Sequence, residues 1–154
     1  MPEPVKQRLQ RYTELLEEID NQSERLMRLE SSMTAPRSLN MDGMPRAGHG
    51  TDQIGAAIAR KEVIMADLKE IRAEADREYW QLERAVKQLR KAQERMVLRL
   101  RYFDRCTWTD ITDVLFGRRP DYDDKLESYT RRAQRIHGAA LMSLEKILQE
   151  NPQI

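Results

Sequence analysis

Arg131, Gln134, Arg135 and Gly138 fall on one side of a helix at about 100° per residue, with Ser128 and Arg132 flanking them. Arg and Gln side chains pair with base edges and phosphates, so a helix that turns them outward can lie in the major groove of duplex DNA. No acidic residue occurs between Ser128 and Ala140 to repel a polyanion. The other chemistry-bearing residues point away from catalysis. His49 and His137 are the two imidazoles and Cys106 is the single thiol, too few ligands for a tetrahedral zinc site and one cysteine short of an internal disulfide. His137 has no nucleophile or carboxylate near it in sequence. Asp121, Asp123 and Asp124 lack the alternating oxygen ligands, the Gly and the terminal Glu of a calcium loop, and their expected role is negative charge at a helix start. The eight methionines are spread over apolar stripes and the central segment as gap-filling residues. The expectation is a non-enzyme with no cofactor and no metal.

Charge supports an anionic partner. The 154-residue chain carries a net charge of +1, but residues 1–83 hold 12 basic and 16 acidic side chains, whereas residues 84–154 hold 15 basic and 10 acidic. Arg84, Lys87, Arg90, Lys91, Arg95, Arg99, Arg101 and Arg105 face only Glu94 and Asp104 over the same stretch. A cationic C-terminal half suits a polyanion, although charged helix faces are often merely solvated.

The elements that position these residues are helical. Val5, Leu9, Tyr12, Leu16, Ile19, Ser23, Leu26, Glu30 and Met33 follow alternating steps of four and three, a heptad seam with Leu29 beside its faults. Residues 34–50 then gather Pro36, Pro45, Gly43, Gly48 and Gly50 without an apolar period and read as a linker. A second long helix starts at Thr51 or Asp52, where a short polar side chain can cap the first turn. Its seam is Ile54, Ile58, Lys61, Met65, Leu68, Arg72, Ala75, Tyr79, Leu82, Val86 and Leu89, with Ile64 and Ile71 one place away from the two charged positions. Neither stripe can be buried alone. The two helices pair either as an antiparallel hairpin within one chain or between two copies.

After Leu89 the helices shorten. Gln93–Phe103 places Met96, Val97, Leu100 and Phe103 on one face, and Asp104-Arg105-Cys106 interrupts it. Thr107 starts the next helix, its hydroxyl able to cap the amide of Asp110. Trp108, Ile111 and Leu115 form that helix's buried side, and Gly117 can end it in a left-handed conformation. Trp108 is expected in the core. Residues 118–123 form a polar turn before a long helix from about Asp124 to Gln149. On it, Tyr129, Ala133, Ile136 and Ala140 point inward, and Leu141, Leu144, Ile147 and Leu148 extend the stripe. Two short helices and a turn make a helix-turn-helix candidate.

Three runs carry a resemblance: Glu94-Arg95-Met96-Val97-Leu98-Arg99-Leu100-Arg101-Tyr102-Phe103, then Trp108-Thr109-Asp110-Ile111-Thr112, then Arg135-Ile136-His137-Gly138-Ala139-Ala140-Leu141-Met142-Ser143-Leu144. In this order they resemble region four of bacterial sigma factors, and more narrowly the small phage and prophage regulators of the ArpU and RinA type. The likeness covers roughly residues 90–148. It implies a helical or coiled-coil N-terminal part followed by a sigma-like helix-turn-helix that binds DNA and controls phage genes. It places base contacts on Ser128, Arg131, Arg132 and Arg135, and phosphate contacts on Arg105, Thr107 and Thr109. Asp104-Arg105-Cys106 stands where the family has a turn glycine, and Thr112 where it has a small alanine.

The sequence therefore predicts an all-α chain: a long antiparallel helical hairpin, coiled-coil-like, over residues 1–89 with a flexible linker at 34–50, and a sigma-factor region-four-like helix-turn-helix domain over residues 90–154. The expected function is sequence-specific DNA-binding transcriptional regulation of phage or prophage genes. The expected DNA-binding residues are Arg105, Thr107, Thr109, Ser128, Arg131, Arg132, Gln134 and Arg135. The partner is double-stranded DNA, with RNA polymerase and a second copy of the chain as further candidates. Rival readings are a packaging adaptor of small-terminase type and a coiled-coil protein that binds RNA polymerase without touching DNA. Met1-Pro2-Glu3-Pro4 leads straight into charged residues with no apolar secretion core, and no membrane span is present, so the expected location is the cytoplasm.

Overall fold

A computed structural model describes residues 4–34 and 49–154, apart from the side chains of residues 49–52. Every regular element among the described residues is helical: α1 (Val5–Thr34), α2 (His49–Lys87), α3 (Ala92–Leu98), a π-helical turn (Arg99–Phe103), α4 (Trp108–Phe116) and α5 (Leu126–Glu150). Apart from its ends, the linker expected over 34–50 lies outside the described residues. α2 begins at His49, ahead of the start expected at Thr51 or Asp52. No helix among the described residues is long and apolar enough to cross a membrane.

The chain forms two compact units. One is Leu15–Glu74, and the other joins the start of α1, through Glu14, to Ala75–Ile154. The division drawn from sequence at residues 89/90 falls inside the second unit.

In the unit Leu15–Glu74, Lys61 Nζ lies 3.2 Å from Glu30 Oε1, and Arg72 donates to Ser23 Oγ at 3.4 Å. The partners on α2 move back along the chain as α1 advances, so the two segments run antiparallel here. Ile64 and Leu68 are buried between them, and Leu16, Ile19, Leu26 and Leu29 of α1 are half-buried. The seam on α2 is not the one expected. Met65 is 51% exposed and Arg72 is exposed, while Ile64 is buried and Ile71 half-buried. Two ladders one residue apart share Lys61, Leu68 and Ala75. The ladder through the isoleucines wins because the other would draw a guanidinium under the apolar stripe, at a desolvation cost that an exposed Arg72 avoids.

In the second unit Val5, Leu9 and Tyr12 are the buried positions of α1. The Glu145 carboxylate of α5 accepts the Val5 amide at 2.7 Å, satisfying one of the donors a helix start leaves unpaired. Arg8 donates to Glu78 and, at 2.7 Å, to Gln81 Oε1 on α2. Tyr12, Tyr79 and Phe103 form an aromatic cluster with ring centres 5.0 to 6.3 Å apart. Leu82, Ala85, Val86 and Leu89 of α2 are buried, and the largest wholly enclosed side chains of the unit include Phe116, Leu98, Ile111 and Leu144. Each such Leu, Ile or Phe contributes about 1.5–3 kcal/mol by leaving water.

The segment 92–103 departs from the single amphipathic helix expected. Its buried residues are Glu94, Val97, Leu98 and Tyr102, whereas Met96 is 42% exposed. The helix is covered on more than one side, since Val97 and Leu100 face α4 and α5 while Phe103 joins the aromatic cluster. The π-helical turn ends with the Asp104 amide donating to the Arg99 carbonyl at 2.9 Å, and Arg105 then takes a left-handed conformation with φ 55°. The position where a turn glycine is missing is thus occupied by a residue that adopts the glycine-like geometry. At the end of α4 the reverse holds. Gly117 is right-handed, with φ −59°, so its expected left-handed role is corrected. The glycine is required by proximity: a Cβ there would lie 2.5 Å from the Asp113 carbonyl oxygen and 2.6 Å from Asp113 Oδ1.

Candidate nucleic-acid interface

α5 separates its two sides by burial. Ala133, Ala140 and Leu144 are fully enclosed, and Tyr129 and Ile136 pack against the cluster of Val97, Ile111 and Phe116. Ser128, Arg131, Arg132, Gln134, Arg135 and Gly138 are all exposed. Ala133 and Ala140 let the helix approach its neighbours closely, while the longer polar side chains stay in water.

The exposed arginines differ in what holds them. Arg131 donates to Glu127 one turn earlier at 2.5 Å, in a pair whose side chains are 68% and 82% exposed. Arg132 stands over the Phe116 ring, 5.2 Å from its centre. Arg135 has neither an ion pair nor a hydrogen bond among the described residues. It borders a cleft of about 320 Å³ with Lys91, Gln93, Glu94, Arg132 and Ala139. Lys91 is the cation that sequence reasoning missed at this face. It lies in the connection between α2 and α3, and only the packing of α3 on α5 brings it beside Arg132 and Arg135. Arg118 and Arg119, also exposed, follow Gly117 in a connection whose three basic residues are balanced by Asp121, Asp123 and Asp124.

The start of α4 is built around Thr107. Its hydroxyl accepts the Asp110 amide at 3.3 Å and donates to Asp110 Oδ2 at 2.9 Å, while the Thr107 amide donates to the same carboxylate at 3.4 Å. This is a capping box closed by Asp in place of Glu. Thr107, Thr109 and Arg105 are exposed, but the Thr107 hydroxyl is engaged in the cap. Thr112, wholly buried, returns its hydroxyl to the Trp108 carbonyl at 2.7 Å, which is how a threonine is accommodated inside the helix.

The connection from α4 to α5, residues 117–125, is held by its own bonds. Tyr129 Oη donates to Asp121 Oδ1 at 2.6 Å, and Lys125 pairs with Asp121 at 3.2 Å. These two partners hold the Asp121 carboxyl below its ordinary range, with the Tyr129 bond the larger cause. Asp121 therefore fastens the connection to α5, and no side chain caps the α5 amides at Lys125. Nine residues join α4 to α5, against the three or four of a tight helix-turn-helix.

Behind the exposed face, His137 shares a hydrogen bond of 2.8 Å with Tyr102 Oη and meets the Trp108 ring edge-on at 5.1 Å. Burial, then the charges of Arg101 and Lys6, push the imidazole below its usual pKa. Trp108 packs against the apolar cluster with the Arg101 guanidinium 5.1 Å over its ring. Both aromatic groups thus support the helices.

The exposed side of α5 thus presents fork-shaped guanidinium donors with no carboxylate from Ser128 to Leu144. Among the described residues no group of three or more His, Cys, Asp or Glu side chains is placed to hold a metal ion. Compared with protein-family models, with curated proteins and with solved structures, the chain matches none.

Proposed function

We propose that the chain is a sequence-specific double-stranded DNA-binding regulator of the phage type its C-terminal runs resemble, with α5 as the recognition helix. One observation carries the reading: the exposed side of α5 is made of Ser128, Arg131, Arg132, Gln134 and Arg135 with no acid from Ser128 to Leu144, while Ala133, Ala140 and Leu144 hold the other side in the core. Arg and Gln are the side chains that pair bidentately with guanine and adenine in the major groove. In this reading Arg105 and Thr109 at the start of α4, with Lys91 beside Arg135, contact phosphates, and Thr107 holds the helix end that presents them. The antiparallel segments of α1 and α2 belong to a coiled-coil-like hairpin that supplies spacing or a second copy.

Selection of bound duplexes from random DNA tests the proposal. Enrichment of one motif, bound with a salt slope set by several phosphate contacts, is the expected result. Absence of any duplex binding at low salt overturns it. Binding without enrichment, by a closed ring in light scattering, replaces it with the packaging-adaptor reading.

A further inference from the structure

A second exposed cationic face lies on α2, formed by side chains other than those assigned to duplex recognition. Trp80 is 59% exposed there. Arg77 precedes it by three residues, Arg84 follows by four, and Lys87 by three more; all are exposed. At 100° per residue the four fall within about 80° of the helix circumference, along about 15 Å of its axis. None of the three cations has an ion pair or hydrogen bond among the described residues. Of the neighbouring acids Glu78 is bound by Arg8 and Glu83 by Arg99, while Glu74 and Asp76 are exposed at the stripe's edges. The Tyr79 ring braces the indole at 5.1 Å and 76°.

We infer that this stripe is a stacking site for single-stranded DNA, with an unpaired base on the Trp80 indole and flanking phosphates on Arg77, Arg84 and Lys87. A protein interface would gather further large apolar side chains around its aromatic anchor. From Ala75 to Leu89, Trp80 is the one large apolar side chain left markedly exposed. A lone indole among cations instead matches the pairing of stacking plane and phosphate contacts by which single strands are held. Duplex DNA keeps its bases stacked on each other and offers none to the indole. The single strand is taken as DNA because the ligand proposed for α5 is DNA, a choice that rests on that reading.

The chain has two tryptophans, and Trp108 is packed among α4 and α5, so a ligand on the stripe is reported by Trp80. In the full chain, an oligothymidylate is expected to quench the emission, and a duplex of equal length to leave it nearly unchanged. Trp80→Phe keeps a ring and should retain affinity within about threefold while losing the quench; Trp80→Ala should weaken binding at least about fivefold. Arg84→Ala and Lys87→Ala should each flatten the salt slope by about 0.7. Arg131→Ala with Arg135→Ala should leave the oligothymidylate result intact, which separates this site from the duplex face. The inference is overturned by absence of quenching, by equal quenching with duplex, by tighter binding of oligouridylate, or by an emission change on concentrating the protein alone, which would show a second copy on the stripe.

Discussion

The three exposed arginines of α5 should not be equivalent, and their ranking follows from what each gives up to reach DNA. A bidentate base contact contributes about 1–3 kcal/mol of discrimination. Arg135, unpaired among the described residues, can deliver that in full, a loss of about 5- to 150-fold on Arg135→Ala at the cognate site. Arg131 must first leave Glu127, and an exposed pair one turn apart is worth about 0.3–0.5 kcal/mol, so its loss is smaller by about twofold. Arg132 must leave the Phe116 ring, at about 0.5–1 kcal/mol for an exposed cation over an aromatic face. Glu127→Ala should therefore tighten duplex binding about twofold or more, because it frees Arg131 and removes a negative charge from the same face. Fluorescence anisotropy with the selected duplex and a scrambled one, over a salt series, measures each term. In a double-mutant cycle the gain from Glu127→Ala should disappear in the Arg131→Ala background except for its purely electrostatic part. The reasoning fails if Glu127→Ala weakens binding, or if Arg135→Ala costs no more than Arg132→Ala. Equal losses on both duplexes would reduce Arg135 to a phosphate contact.

Three further outcomes concern the scaffold. Thr107→Ala removes the cap of α4 and should cost about 1 kcal/mol in urea unfolding, with Thr107→Ser restoring most of it. Gly117→Ala should destabilise by about 1–3 kcal/mol although the backbone there is right-handed, because the new methyl meets the Asp113 carbonyl; a neutral result would mean that the end of α4 shifts freely. His137 has a lowered pKa in the fold, so below about pH 6.5 the unfolded chain binds more protons than the folded one and stability falls with acidification through that window. Thermal melts of His137→Gln across the same range should lose that component, and an unchanged slope would show that His137 is not its source.

Much of the helical layout is legible along the chain, because apolar spacing reports which side of a helix leaves water. The inward side of α5 and the cap at Thr107 follow directly from residue type and period. The seam of α2 does not, since ladders through Ile64 and Ile71 or through Met65 and Arg72 have the same spacing, and the choice depends on which residues α1 covers. The π-helical turn and the left-handed Arg105 escape local patterns for a related reason: Tyr102 bonds to His137 on α5 whereas Phe103 packs on Tyr12 and Tyr79, and one wider turn accommodates both directions.

The chain's own order of residues determined that its described regular structure is helical and that the arginines near residue 131 share a side, since both depend on interactions within a few turns. Tertiary structure alone decided that Lys91 joins Arg132 and Arg135 at one cleft, that Glu145 receives the start of α1, and that Trp80 stays in solvent. Those outcomes depend on which surfaces meet across long separations in sequence, and burial and pairing at a distance leave no local period to read.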